Sequence, residues 1–164
     1  PLKIGYFGTI AEWFDFPLLL ESLNRFSNLE YHLWGPVSKV ERPKHPRLIF
    51  EGIVEHSQLW EKAENVDCLI MPFVVNDIIK DVDPVKLYEY ISMGKQIFSV
   101  WYEEVERFSK FVDFYLNSQM YFDIIDKTLN GELNIKYSSQ DQYHFLKKND
   151  WDSRYEKIKF FIDE

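Results

Sequence analysis

The stretch that organises this chain is DVDPVKLYEYISMGK, residues 81–95. It predicts a helix with a defined start and end. Asp83 is a suitable N-cap, and Pro84 suits the first helical position, where its missing N–H costs nothing. Gly94 suits the left-handed residue that commonly follows a helix. The stretch therefore predicts one short helix held between local start and stop signals.

Two charged residues inside this helix suggest a ligand. Lys86 and Glu89 are three residues apart, so they share a face near the helix start. A lysine in the first turn opposes the helix dipole, and a helix built only for stability would carry acids there. Our hypothesis is that Lys86 meets phosphates and Glu89 accepts hydrogen bonds from ribose hydroxyls. The plainer alternatives, a solvated lysine and a surface acid, stay open.

Outward from this helix, short apolar strands alternate with helices. Strands are predicted at residues 3–7, 29–34, 47–51, 68–73, 96–101 and 112–116. Helices are predicted to begin at Asp15, Ser57, Glu103, Asn117 and Ser138, and a last amphipathic helix is predicted at 151–163. This alternation predicts an α/β fold, a Rossmann-like three-layer sandwich with a parallel sheet of about six strands and helices on both faces. We expect residues 1–164 to form one domain.

Candidate binding residues follow the predicted strand ends. Ligands of such sheets bind beyond the carboxyl ends of the strands. Gly8 and Thr9 follow the first strand, Ile53 and Val54 follow the third, and Phe73 ends the fourth. Together with the helix at 81–95, these pieces are predicted to meet at one edge of the sheet.

Composition narrows the partners. The net charge of −8 argues against nucleic acid or an anionic membrane as the main partner. The one cysteine, Cys68, cannot form an intrachain disulfide, and it lies in an apolar run that predicts a core position. No apolar stretch approaches the ~20 residues needed to cross a bilayer. We expect a cytoplasmic protein. Because the chain opens at Pro1 without a methionine, we also expect a piece of something longer.

Three segments carry a resemblance to a known family. They are IGYFGT at residues 4–9, FEGIV at residues 50–54 and PVKLYEY at residues 84–90, followed by Gly94 and Lys95. Together they resemble the C-terminal, donor-binding half of a GT-B glycosyltransferase of the group 1, family 4-like type found in bacterial polysaccharide biosynthesis. The resemblance covers roughly residues 3–129, and a weaker resemblance extends to the last predicted helix.

The resemblance implies roles for single residues. The acid matching Glu89 would accept hydrogen bonds from the ribose hydroxyls, and the lysine matching Lys86 would bind the diphosphate. Gly8 and Thr9 resemble the glycine-rich loop that admits phosphate to backbone N–H groups. Ile53 and Val54 resemble the strip that reads the base through main-chain groups. Phe73 would form a wall beside the base. It completes the implied donor site.

Two departures from the family pattern concern charge. Many members carry an acid eight positions before the one matching Glu89, near the transferred sugar; here Asp81 stands there, one methylene shorter. It is our one catalytic candidate in this half. The Arg and Lys usual after the first glycine loop are missing. Asp81 and Asp83 also match the Asp-x-Asp of metal-dependent glycosyltransferases, but we prefer the cap role for Asp83 and expect no metal and no cofactor.

The resemblance implies an enzyme that transfers a sugar from a nucleoside-diphosphate sugar, with UDP favoured, to a glycan or lipid-linked acceptor, and with retention. It implies a missing N-terminal acceptor-binding domain, against which the helix at 151–163 would pack. The piece alone is expected to be inactive, and any membrane association would be peripheral, at the inner face, through the full-length protein. Two alternatives remain: a sugar-nucleotide epimerase of the same architecture and a non-catalytic α/β interaction module.

Overall fold

The fold was analysed from a computed structural model, which describes residues 1–149. The predicted helix at 151–163 lies outside the described residues. In the described part of the chain, six strands form one parallel sheet in the order β3-β2-β1-β4-β5-β6. Their bounds are β1 Leu2–Phe7, β2 Leu29–Trp34, β3 Leu48–Gly52, β4 Cys68–Met71, β5 Gln96–Val100 and β6 Val112–Tyr115. The prediction of an α/β fold with six parallel strands is confirmed.

Burial follows the position of each strand in the sheet. All residues of the central strands β4 and β5 are buried, as expected for strands covered on both faces. The edge strand β3 is buried only at Leu48 and ends exposed at Gly52. Cys68 is buried in β4, and burial raises the pKa of its thiol to about 12, so it is a core residue without thiolate character.

Within residues 1–149, five α-helices connect or cover the strands: α1 Phe16–Arg25, α2 Leu59–Ala63, α3 Val85–Met93, α4 Ser118–Leu129 and α5 Ser139–Lys148. Local sequence explains most of their ends. The Asp15 carboxylate accepts from the Leu18 N–H, and the Asn117 side chain accepts from the Met120 N–H. Ser138 and Asp141 form a reciprocal capping box. These three predicted helix starts are confirmed.

The predicted start of α3 was wrong in one respect. The helix begins at Val85, Pro84 occupies the cap position, and no side chain caps it. The Asp83 carboxylate instead lies 2.7 Å from the Arg107 guanidinium. An ionised partner gives the carboxylate a stronger hydrogen bond than a neutral N–H does, which explains the loss of the cap. The stop signal was right, since Gly94 has φ +70° and ends the helix.

Two other predicted helices are shorter or tighter than expected. A 3₁₀ turn at His56–Gln58 runs directly into α2, so Ser57 lies inside the turn and caps nothing. The segment Glu103–Phe108 is a 3₁₀ helix rather than an α-helix. Its buried residues, Val105 and Phe108, are three apart, and a 3₁₀ helix stacks that spacing on one side.

The sheet changes direction between β1 and β4. The chain moves outward from β1 to β2 and β3, then returns to build β4, β5 and β6 on the other side. Right-handed crossovers therefore place α1 and α3 on opposite faces. The Phe26 and Phe122 rings, 6.4 Å apart, join α4 to the α1 layer. The Gln142 amide donates to the Ile91 carbonyl over 2.6 Å, joining α5 to the α3 layer. The three layers make a Rossmann-like sandwich whose topological switch point lies between β1 and β4.

In residues 1–149, no helix combines the length and apolar character that crossing a bilayer requires.

Candidate functional site

Glycines occupy the carboxyl ends of the first three strands. The Gly8 N–H donates to the Trp34 carbonyl, and the Gly35 N–H donates to the Gly52 carbonyl, each over 2.9 Å. Both Gly8 and Gly35 have φ near +145°. A Cβ on Gly35 would stand 1.8 Å from the Gly8 carbonyl oxygen. Backbone therefore meets backbone here, and the strand ends carry no side chains that would keep a ligand away.

Lys86 reaches from α3 to this edge. Its ammonium donates to the carbonyl of Phe7, the last residue of β1, and lies 5.2 Å from the centre of the Tyr6 ring. A Cβ on Gly8 would stand 2.3 Å from the Lys86 Nζ. The predicted pair of Gly8 and Lys86 is thus brought into direct contact at the switch point.

Burial controls the charge of Lys86. Desolvation lowers the pKa of its ammonium below the usual 10.5, while the nearby Glu89 carboxylate acts in the opposite direction. A lysine whose pKa is lowered by burial contributes little to the stability of the fold by itself. An anion bound beside it would raise that pKa again.

Tyr6 shapes the loop after β1, and the sequence reasoning missed it. Its hydroxyl donates to the Thr9 carbonyl over 2.8 Å, and its ring lies beneath the Lys86 ammonium. Burial raises the pKa of this phenol, so it stays a neutral donor. Tyr6 stands within an apolar run, where an aromatic residue predicts only core packing. A signal for its second role was absent because the Thr9 carbonyl and Lys86 approach it through the fold.

Glu89 lies one turn beyond Lys86 with 18% of its side chain exposed, and the His56 Nε2 is 3.3 Å from its Oε1. His56 is 61% exposed. It belongs to the turn that follows β3 and its neighbours Ile53 and Val54. A partly exposed carboxylate beside an exposed imidazole can accept hydrogen bonds from vicinal hydroxyls. His56 and Glu89 are 33 positions apart in the chain, so the sequence alone carries no signal of this contact.

The other predicted residues occupy different depths. Ile53 is 80% exposed at the edge, Val54 is half-buried against the core, and Thr9 is exposed. Phe73 is buried, with its ring edge-on to Tyr6 at 6.2 Å. Phe73 therefore packs against the Tyr6 ring. Ile53 is an exposed apolar side chain directly after the end of β3.

Asp81 ends a 3₁₀ turn, Ile79–Asp81, and is exposed. Asp83, two residues later, is bonded to Arg107. Residues 1–149 contain no group of three or more His, Cys, Asp or Glu side chains placed to hold a metal ion. The structure therefore brings Gly8, Lys86 and Glu89 to one edge and leaves Asp81 on the loop before α3.

The fold and this edge define a class: a Rossmann-like α/β domain with a half-buried cation and a bare glycine turn at its topological switch point. Comparison adds no family to that description, since no protein-family model and no curated protein matches the chain.

Proposed function

We propose that this chain is the donor-binding domain of a GT-B glycosyltransferase that uses a nucleoside-diphosphate sugar. The observation that carries the proposal is the contact of Lys86 with Gly8 at the switch point. A cation and a turn without side chains are what a diphosphate needs at the carboxyl edge of such a sheet. The position agrees with the general location of ligands in open α/β sheets.

The nucleoside would lie from Lys86 toward β3. Glu89 would accept the ribose hydroxyls, and main-chain groups at Ile53 and Val54 would meet the base. The exposure of Ile53 and the partial exposure of Glu89 support this direction. The transferred sugar would then lie toward the loop that carries Asp81.

Apolar exposure supports a second domain over the same edge. Among the described residues, nine large hydrophobic side chains are exposed, and eight of them lie in segments that follow strand ends. They are Ile53, Val74, Val75, Ile78, Val85, Trp101, Leu116 and Met120. Exposed apolar groups gathered at one edge are typical of an interface. An acceptor-binding domain contacting this edge is the partner that the proposal requires.

The chemistry assigned to this half is electrostatic. When the bond from the anomeric carbon to the diphosphate oxygen breaks, negative charge grows on the leaving diphosphate. The Lys86 ammonium would offset that charge, and it is in place before reaction. The Gly8 N–H already donates to the Trp34 carbonyl, so Lys86 carries this role beside the first loop. The acceptor hydroxyl, which forms the new bond to the anomeric carbon, would come from the partner domain, and its proton would pass to the leaving diphosphate. We expect this charge compensation to operate without a metal ion.

Titration calorimetry with UDP, GDP and ADP tests the proposal, supported by thermal unfolding of the same samples. Ligand at ~100 times its dissociation constant should add about 2.7 kcal/mol to the free energy of unfolding. Inosine, which lacks phosphate, is the control and should bind more weakly. Failure of all three diphosphates to bind would contradict the proposal and favour an interaction module.

A further inference from the structure

His56 joins the segment that follows β3 to the helix α3. It begins the 3₁₀ turn His56–Gln58, two residues after Val54. Its Nε2 lies 3.3 Å from the Glu89 Oε1. An ionised carboxylate can only accept a hydrogen bond, so the hydrogen belongs to Nε2 and His56 is the donor. The contact therefore connects the segment assigned to the base with the acid assigned to the ribose.

Trp60 holds the His56 ring beside α3. The two ring centres are 5.2 Å apart, and the rings meet edge to face. The Trp60 indole N–H donates to the Ser92 hydroxyl over 3.0 Å, and that hydroxyl donates to the main-chain carbonyl of Glu89. Because the indole is itself bonded to α3, the imidazole that packs against it has a restricted orientation. Two chains of contacts thus lead from this turn and from α2 to Glu89.

The Glu89 carboxylate benefits from such a restraint. Lys86, one turn earlier on α3, donates to the Phe7 carbonyl and does not take this role. A glutamate side chain has several rotatable bonds, and a ligand that must order them pays a cost in conformational entropy. A donor that orders the carboxylate before the ligand arrives removes part of that cost.

The bond from His56 leaves Glu89 able to bind a diol. A carboxylate offers about four lone-pair sites on its two oxygens, and His56 occupies one of them on Oε1. The other sites can accept from two vicinal hydroxyls. The Glu89 side chain is 18% exposed, so a ligand can reach it. A ligand that covers the pair would also exclude water from the bond between His56 and Glu89 and strengthen it.

We propose that His56 is a positioning residue, which holds the Glu89 carboxylate in the orientation that accepts the two ribose hydroxyls. It thereby makes the site selective for a ribonucleotide over the dideoxy analogue. The inference rests on the proposed function, because it requires a nucleotide at this edge. The plainer alternative is an exposed turn residue whose contact with Glu89 has no effect on binding.

Two replacements of similar shape test the role of His56. His56→Gln places an amide N–H at the position of Nε2, whereas the shorter His56→Asn places its amide at the position of Nδ1, away from Glu89. Gln58→Ala is the control, since Gln58 is an exposed residue of the same turn and its side chain caps no helix. Because His56 is exposed, all three variants should keep the thermal midpoint of the wild type.

Titration calorimetry of the 164-residue chain with UDP and 2′,3′-dideoxy-UDP provides the measurement. His56→Asn should lose roughly threefold to tenfold in UDP affinity, the effect of one side chain that the ligand must now order, and little in affinity for the dideoxy analogue. His56→Gln should recover most of the UDP affinity, and Gln58→Ala should equal the wild type. A merely structural role would change the affinity for both ligands equally.

Three results would overturn the positioning role while the proposed function stands. They are unchanged UDP affinity in His56→Asn, equal losses for the two ligands, and no recovery in His56→Gln. Absence of UDP binding by the wild type would instead contradict the proposed function, and this inference with it. The two failures are therefore distinguishable in one set of titrations.

Discussion

The Lys86 ammonium on α3 donates a hydrogen bond to the main-chain carbonyl of Phe7, the last residue of β1. The two residues are 79 positions apart in the chain. The contact holds a cation at the switch point, next to a turn that carries no side chain. Burial already weakens the hold of this lysine on its proton. Under the proposed function, a bound diphosphate would lie beside this ammonium.

Gly8→Ala should damage both the site and the fold, because φ of +146° is strained for alanine. The new Cβ would stand 2.3 Å from the Lys86 Nζ and would push the flexible lysine away. We expect UDP affinity to fall by at least about tenfold, since one displaced charge-assisted contact is worth about 1.5–3 kcal/mol. Calorimetry measures the loss.

Gly131→Ala is the matched control for that variant. Gly131 also has positive φ, +76°, but a Cβ there meets nothing within 4 Å. It should lose about 1 kcal/mol of stability from backbone strain and keep full UDP affinity. Equal losses of UDP affinity in the two alanine variants would show that Gly8 matters only as a turn residue.

Lys86→Met should separate binding from stability. The substitution removes a cation whose burial is unfavourable, but it also removes the donor to the carbonyl of the buried Phe7, and these two effects oppose each other. We expect the free energy of unfolding to stay within about 1 kcal/mol of the wild type. UDP affinity should fall strongly and uridine affinity little. Equal losses for UDP and uridine would argue against the phosphate role.

UDP binding should weaken as pH rises. The folded, ligand-free protein holds Lys86 with a pKa lowered from 10.5 by burial, and a bound anion raises that pKa again. Binding therefore takes up protons, and affinity should be highest below the lowered pKa and fall as pH passes through it. Above pH ~7 the terminal phosphate is already fully ionised and adds no slope. Calorimetry in two buffers of different ionisation enthalpy detects the uptake.

The lowered pKa of Lys86 makes the free energy of unfolding rise with pH, whereas it makes UDP affinity fall with pH. Between the lowered folded pKa and 10.5 the unfolded chain binds more protons at Lys86, so this residue makes stability rise with pH there. Lys86→Met should show neither the stability slope nor the proton uptake. A wild-type affinity independent of pH up to 10.5 would place the ligand away from Lys86.

Glu89→Gln should weaken the binding of nucleotides that carry ribose hydroxyls and should spare nucleotides that lack them. The substitution keeps the shape and removes the charge, so UDP affinity should fall by about tenfold or more. Affinity for 2′,3′-dideoxy-UDP should be nearly unchanged, because that ligand has no hydroxyls to lose. Stability should change little, since the neighbouring His56 is 61% exposed.

Glu61→Gln, an exposed position on α2, is the control for the loss of one negative charge. Its UDP affinity should equal that of the wild type. A Glu89→Gln variant that loses affinity equally for UDP and its dideoxy analogue would assign the acid to a role other than ribose binding.

Elements and stop signals with local causes were predictable. The strand runs, the Asp15 and Asn117 caps and the left-handed Gly94 all depend on residues within a few positions of one another. Apolar runs and turn residues carry that information because backbone hydrogen bonding and burial are local or periodic. The convergence of Gly8, Lys86 and Glu89 followed from the general rule for parallel sheets, together with the family resemblance.

Partners distant in the chain were decided by the tertiary structure. The Asp83 carboxylate pairs with the Arg107 guanidinium instead of capping its helix. The His56 imidazole lies beside the Glu89 carboxylate. The Tyr6 hydroxyl donates to the Thr9 carbonyl. Each side chain had a plausible local role, and a stronger or nearer partner from another element replaced it. Among residues 1–149 the Tyr115 hydroxyl has no hydrogen-bond partner, and this too depends on the packed neighbours and not on the residue itself. By itself the sequence determined which segments are strands and helices and which edge of the sheet they would leave open. Only the tertiary structure decided which polar groups have partners, because hydrogen-bond choice depends on distances that the fold alone sets.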